Sequence, residues 1–149
     1  MENLRFLKSK EVKQIFKIIE DRWGFKDRLE HVFLMDKEGD VFIINRDMEK
    51  VDFESLRINN IGLYLCEYRN DDVRLGIEGS QIIGPKADKN ILELSDEQVK
   101  EYMKGNELEI DKENSGFLIL KNSNNYFGCS KIKNRRLLNF FPKARRINQ

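Results

Sequence analysis

Short apolar runs separated by polar turn residues recur along the chain, and runs of this length suit β-strands better than helices. Those rich in β-branched and aromatic residues occupy residues 31–35, 41–45, 61–68, 116–120 and 126–133. Gly39 lies in the polar linker between the first two runs, and an NSNN turn separates the last two. Both pairs are therefore predicted to form β-hairpins. Many short strands with few helices predict a small mixed β-barrel preceded by an α+β segment.

One helix is predicted near the N-terminus. In residues 9–23 apolar side chains recur at helical spacing on one face, with Ser9 as the expected N-cap and Gly24 as the residue that ends the helix. Trp23 completes the apolar face. We therefore expect Trp23 to lie in the core rather than to bind a ligand.

A second helix is predicted to begin at a capping box. Ser95 is the N-cap of this motif and Gln98 is its third helical residue, so that each side chain bonds the other's backbone N–H. The helix is expected to run to Lys104 and to stop at Gly105.

Two stretches have no clear periodicity. Residues 46–60 are polar and acidic, and they are predicted to form a turn or a short helix followed by a connector. Residues 73–85 contain Gly76, Gly79 and Gly84, which either bend a strand or allow close approach of the backbone, for example to a phosphate. The chain contains neither a GxGxxG nor a GxxxxGK[ST] fingerprint, so no nucleotide site is predicted there.

Charge is distributed unevenly along the chain. The 149 residues carry a net charge of +1, yet no Asp or Glu follows Glu113. Residues 1–113 hold 19 basic against 26 acidic residues. The remaining cations are Lys121, Lys131, Lys133, Arg135, Arg136, Lys143, Arg145 and Arg146. A basic surface on an acidic body is typical of proteins that bind the phosphate backbone of nucleic acids.

Aromatic residues are interleaved with these cations. Tyr126, Phe127, Phe140 and Phe141 either close a core or stack on bases, and the sequence leaves both interpretations open. The simpler alternative is a solvated basic C-terminus over a few core aromatic residues.

Few residues could form a catalytic or metal site. The single histidine, His31, opens a predicted strand, and without a second His or a spaced Cys pair no metal cluster is predicted. Cys66 lies in an apolar strand and is expected to be buried and inert. Cys129 is the better candidate for a reactive thiol, because Lys131 and Lys133 would lower its pKa. No His or Asp lies near Cys129 in the sequence. We therefore predict no catalytic residue, no metal, no cofactor and no enzymatic activity.

The expected location is the cytoplasm. No segment approaches the ~20 apolar residues of a membrane span, and the N-terminal residues lack the pattern of a secretory signal. Two distant cysteines do not form a disulfide framework, so both thiols are expected to be reduced.

Five motifs follow one another in the last 90 or so residues of the chain. They are GLYLCE (residues 62–67), SDEQVKEYMKG (95–105), GFLIL (116–120), FGCSK (127–131) and LNFFPKAR (138–145). In this order they resemble the PUA-like RNA-binding domain at the C-terminus of Sun/Fmu-type rRNA cytosine-C5 methyltransferases. The resemblance extends over residues 62–146, and the terminal NFFPKARR is its most specific part.

The chain also departs from that family. The glycine motif and the catalytic cysteine beside proline that characterise the methyltransferase domain do not occur. The family's helix before the central strand is expected to be replaced by the glycine-rich VRLGIEGSQIIG. The resemblance thus implies a free-standing relative, without the methyltransferase domain, that binds structured RNA in ribosome or tRNA maturation.

These observations predict an α+β protein of two parts. Residues 1–60 form a small N-terminal α+β domain, and residues 61–149 form a PUA-like mixed β-barrel that binds rRNA or tRNA. The predicted RNA contacts are Lys121, Lys131, Lys133, Arg135, Arg136, Asn139, Lys143, Arg145 and Arg146.

Two other classes of function are alternatives to RNA binding. One is a protein-interaction module whose acidic half recruits a separately encoded methyltransferase or a ribosomal protein. The other is a small RNA-modifying enzyme, against which the missing catalytic groups argue.

Overall fold

The chain folds into an α+β structure, as predicted. The computed structural model describes residues 4–45 and 62–147. The predicted turn or helix at residues 46–60 lies outside them. Three α-helices are described: α1 (Ser9–Trp23), α2 (Ile77–Ile83) and α3 (Asp96–Met103). The strands are β1 (Arg5–Phe6), β2 (His31–Met35), β3 (Asp40–Asn45), β4 (Leu63–Arg69), β5 (Asp72–Leu75), β6 (Ile91–Glu93), β7 (Leu108–Glu109), β8 (Leu118–Asn122), β9 (Asn125–Ser130), β10 (Ile132–Lys133) and β11 (Arg136–Leu137).

Strands β1 to β5 form one antiparallel sheet in sequence order. The predicted β2–β3 hairpin is confirmed, with Leu34 opposite Phe42. Gly39, at φ 95°, takes the left-handed conformation that its turn requires. Because β3 pairs with β4, backbone hydrogen bonds join the parts of the chain on either side of the predicted division at residues 60 and 61. The division into two domains stays a prediction.

Helix α1 spans the predicted residues, but its N-cap is Lys8 and not Ser9. The Glu11 carboxylate accepts a hydrogen bond of 2.9 Å from the Lys8 backbone N–H, which satisfies one of the four free N–H groups at the start of the helix. The C-terminus follows the prediction: Gly24, at φ 78°, donates its N–H to the Glu20 carbonyl.

The glycine-rich stretch is helical from Ile77 to Ile83, after the end of β5, which corrects the expectation that it replaces the family's helix. Helix α2 follows β5 directly and packs against β4 and β9. Gly79 lies against the Leu65 carbonyl, where any Cβ would clash with the backbone. The expected close approach therefore exists, but between a helix and a strand. The buried Ser80 hydroxyl donates to the Ile77 carbonyl at 2.7 Å and accepts from the Gly128 N–H at 2.8 Å.

The remaining strands form two small sheets, in the orders β6-β8-β9 and β10-β11-β7. The predicted β8–β9 hairpin is confirmed, while β6 pairs with β8 in parallel. Within residues 4–45 and 62–147 the strands thus lie in three separate sheets.

Two large clusters of buried side chains hold these elements together. The first joins α1 to the five-stranded sheet and to β8 and β9, with Ile19, Trp23, Leu65 and Ile119 each at 0 % exposure. The prediction that Trp23 lies in the core is confirmed. The second cluster fills the C-terminal part around Tyr102.

The capping box at α3 is present as predicted. The Gln98 N–H donates to Ser95 Oγ at 3.2 Å, and the Ser95 N–H donates to Gln98 Oε1 at 2.8 Å. Gly105 ends the helical segment with φ 99°.

Replacing Ser95 by alanine is expected to lower the free energy of unfolding by about 1 kcal/mol, because an N-terminal N–H of α3 loses its acceptor. The matched control is Ser9→Ala. Ser9 is exposed at the first turn of α1 and does not cap it, so we expect a change within about 0.5 kcal/mol. Urea denaturation measures both. Equal losses in the two variants would contradict the assignment of the caps.

Candidate nucleic-acid interface

The predicted RNA contacts lie on β8, at the link between β9 and β10, on the β10–β11 hairpin and on the C-terminal tail. Lys133 pairs with Arg136 across the hairpin. Asn134 and Arg135 form its turn with φ values of 54° and 61°. The tail after β11 contains a 3-10 turn, Lys143–Arg145. We call these elements, with their cations, the basic surface.

Three arginines of the basic surface are ion-paired with carboxylates from earlier in the chain. Arg135 lies 3.6 Å from Asp111 and 3.9 Å from Glu113. Arg136 is 3.3 Å from Glu107, and Arg145 is 3.0 Å from Glu78. The positive charge of this surface is therefore smaller than the acid-free sequence suggests. All three guanidinium groups are half-exposed or more, so each pair contributes at most about 1 kcal/mol.

The lysines of the basic surface fall into two groups. Lys121 lies over the Tyr126 ring, 5.6 Å from its centroid, and Lys131 lies 4.8 Å from the centroid of Phe117. Lys133 and Lys143 are exposed, and within residues 4–45 and 62–147 neither is ion-paired. These two ammonium groups are the most accessible to a phosphate.

Asn139 holds the tail in place. Its Nδ2 donates to the Tyr102 and Asn106 carbonyls, both at 2.8 Å, and its Oδ1 accepts from the Phe141 N–H at 3.0 Å. The side chain is thus engaged at both ends with the backbone, which is a structural role that its motif did not reveal.

The last residues are also anchored on α3. Arg146 Nε donates to the Phe141 carbonyl at 3.3 Å, and its guanidinium lies against Gly105. The Ile147 N–H donates to the Met103 carbonyl at 3.0 Å. The cations of the tail are consequently presented from an ordered edge.

The aromatic residues between the cations mainly close the core. Phe127 and Phe141 are buried, and each ring packs edge-on against Tyr102, with centroids 6.0 and 5.9 Å away. Phe140 is partly buried and packs against Phe117 at 5.8 Å. The aromatic residues were predicted either to close a core or to stack on bases. The buried rings close the core, whereas part of Phe140 stays accessible to solvent.

Arg74 and Glu78 are two residues near this surface that sequence patterns did not indicate. Arg74, in β5, lies 4.8 Å above the Phe140 ring and donates to Glu67 at 3.3 Å. Glu78, in α2, accepts from Arg145. Both precede the acid-free stretch, so only the folded chain brings them to the tail.

The two cysteines are buried. Burial raises the pKa of the Cys129 thiol to about 12, and it raises the pKa of Cys66 further. The expectation that Lys131 and Lys133 activate Cys129 is wrong, because loss of hydration outweighs the influence of nearby cations. The expectation that Cys66 is buried is confirmed.

Three carboxylates gather at the β2–β3 turn. Oxygen atoms of Asp36, Glu38 and Asp40 lie within 4.8 Å of one another. One Asp36 oxygen accepts the Glu38 and Asp40 backbone N–H groups at 3.0 and 2.9 Å. These bonds account for the aspartate as a turn residue.

None of the helices in the described parts of the chain has the length and apolar character needed to cross a bilayer.

Comparison with known proteins finds a family whose model matches the segment that carries the basic surface. Residues 89–147 match a family of PUA domains. The family is described as the methyltransferase RsmF PUA domain. The match covers less than half of the 149 residues and includes the whole basic surface. It confirms the resemblance for this segment, whereas residues 62–88 lie outside it. A comparison with curated proteins finds no significant match.

Asn139→Ala is expected to lower the free energy of unfolding by about 1–3 kcal/mol, because the partly buried Tyr102 carbonyl and Phe141 N–H lose their partner. The control is Asn124→Ala at the exposed β8–β9 turn, for which we expect a change within about 0.5 kcal/mol. Guanidinium denaturation distinguishes the two. If the Asn139 variant is as stable as the wild type, the structural role is contradicted and the predicted RNA contact is left as the role of Asn139.

Neither thiol is expected to react with an aromatic disulfide reagent at pH 8 while the protein is folded. Both should react at once in denaturant. Unfolded cysteine, with a pKa of about 8.5, releases its proton before the buried thiols do. The free energy of unfolding should therefore fall as the pH rises above about 8.5. Rapid labelling of the native protein would contradict the burial of the thiols.

Proposed function

We propose that this is a non-catalytic RNA-binding protein that acts in the modification of rRNA or tRNA or in ribosome biogenesis. The observation that carries the proposal is the match of residues 89–147 to the PUA domain of an RNA methyltransferase family. All nine predicted RNA contacts fall within that segment. The proposed architecture of residues 61–149 remains a PUA-like mixed barrel.

The geometry of the basic surface supports contact with phosphates. Lys133 and Lys143 are exposed, and the half-exposed Arg135, Arg136 and Arg145 can exchange a carboxylate partner for a phosphate at little cost. Such contacts release counterions and determine position on the RNA, while its shape and unpaired bases determine selectivity.

The context of this binding follows from the family description, which names a methyltransferase. We propose that the protein works in the cytoplasm on structured rRNA or tRNA. We propose a separately encoded methyltransferase or a ribosomal protein as its protein partner. Recruitment of such a partner without RNA contact is the alternative function.

Lys133→Ala combined with Lys143→Ala is expected to weaken binding to a structured rRNA or tRNA fragment and to lower the log–log salt slope by about two, one for each lost phosphate contact. Mobility-shift titrations at several salt concentrations measure both quantities. Removing two exposed charges should leave stability nearly unchanged.

The matched control is Lys10→Ala combined with Lys13→Ala, which removes two exposed charges from α1. This variant should keep the wild-type salt slope. Equal effects in the two double variants would show that net charge alone governs binding. Failure of the wild-type protein to retain RNA at about 50 mM salt would overturn the proposed function and favour the alternative.

A further inference from the structure

A small cleft lies beside the tail, between the β5–α2 junction and residues 140–145. Its volume is about 70 Å³, and its walls include Tyr64, Arg74, Glu78, Phe140 and Arg145. Only Arg145 among these is a predicted RNA contact. The cleft borders the basic surface, so RNA that follows the tail would pass its opening.

One wall of the cleft is a guanidinium group supported by an aromatic ring. The Arg74 Cζ lies 4.8 Å from the centroid of Phe140, and Arg74 Nη2 donates to Glu67 Oε1 at 3.3 Å. The Phe140 ring in turn packs against Phe117, with the two ring centroids 5.8 Å apart. The plane of this arginine is thus held from two sides, while 21 % of its side chain stays exposed. Guanidinium planes of this kind stack on nucleobases.

A second wall offers both a donor and an acceptor. Glu78 Oε2 accepts from Arg145 Nη1 at 3.0 Å, and the two side chains are 32 % and 50 % exposed. Together they carry no net charge. The edge of a nucleobase has donors and acceptors side by side, whereas a phosphate has only acceptors and would be repelled by the carboxylate. The chemistry of the cleft therefore favours a base over a phosphate.

The cleft is also narrow and closely packed. A Cβ at Gly76 would lie 2.6 Å from the Tyr64 ring, so the backbone packs directly on that ring at the start of α2. A volume of about 70 Å³ admits the edge of a single base and leaves no space for a paired one.

We propose that this cleft binds one unpaired nucleobase of the bound RNA. The base stacks on the Arg74 guanidinium, and its edge hydrogen-bonds to Glu78 and Arg145. This inference rests on the proposed function and adds to it the chemical class of the recognised element, a single extruded base next to a helical stem. Arg74 and Glu78 are then specificity-determining residues outside the basic stretch.

The first test uses the wild-type protein and three labelled hairpin RNAs of equal length and charge. One has a single bulged nucleotide in its stem, the second has an abasic residue at the same place, and the third is fully paired. Because stacking of one base strengthens binding, we expect the bulged RNA to bind about tenfold more tightly than the other two. The four bulged bases tested in turn identify the preferred one.

Equal affinity for the bulged and abasic RNAs overturns this inference and leaves the proposed function intact. Loss of binding to all three RNAs overturns both. The comparison needs no variant, so it does not depend on how any substitution folds.

A second measurement assigns the base to this cleft. Arg74→Lys keeps the charge but removes the planar group, and it should abolish the preference for the bulged RNA while binding of the paired RNA is retained. The matched control is Arg69→Lys on the neighbouring strand. Arg69 also bonds Glu67 but lies outside the cleft, and its variant should keep the tenfold preference. A preference that survives Arg74→Lys would place the base elsewhere.

Discussion

The burial of one face of α1 is the interaction on which the rest of the structure depends. Ile15, Ile19 and Trp23 are almost completely removed from solvent, and they pack in one cluster with the five-stranded sheet and with β8 and β9. Burying side chains of this size stabilises a fold by roughly 1.5–3 kcal/mol each. A helix from the N-terminal part therefore shares its core with strands of the segment that matches the PUA family.

Polar contacts at the end of α1 extend this connection. The Asp88 N–H donates to the Trp23 carbonyl at 2.9 Å, and Asn90 Nδ2 donates to the carbonyl of Arg22. The Arg22 guanidinium bonds Asp72 at 2.6 Å. The end of α1 thus holds the residues at which the family match begins. The N-terminal residues support the segment that matches the PUA family and are not merely appended to it.

Much of the fold could be predicted from local patterns. The β2–β3 and β8–β9 hairpins and helix α1 each follow from apolar periodicity next to a turn or cap residue within a few positions. Helix α2 could not be predicted in this way, because three glycines lower helix propensity and only the contact with β4 requires one of them at position 79. The N-cap at Lys8 was missed because lysine is not a usual N-cap residue, and the bond at this end runs from the Lys8 backbone N–H to the Glu11 carboxylate.

The sequence predicted which cations belong to the candidate site, but it did not predict the carboxylates that reduce the net charge of the site. The acid-free stretch correctly indicates where the cations lie, since the strands from β8 to β11 and the tail follow one another in the sequence. It says nothing about carboxylates that return from residues 78–113, and those form ion pairs with Arg135, Arg136 and Arg145. Arg74 and Glu78 were also missed. The tail residues that they contact, Phe140 and Arg145, are more than 60 positions away along the chain. Charge separation along a sequence is thus a poor measure of charge separation on a surface.

Order in the tail determines what the basic surface can recognise. A flexible chain of lysines and arginines would lose conformational entropy on binding, and it would select RNA only by charge. Here Asn139 ties the tail to the end of α3, and Arg146 closes it over Gly105. The tail therefore loses its conformational entropy when the protein folds and not when RNA binds. Under the proposed function, cations fixed in this way, together with a cleft of defined shape, would discriminate between RNAs that carry the same charge.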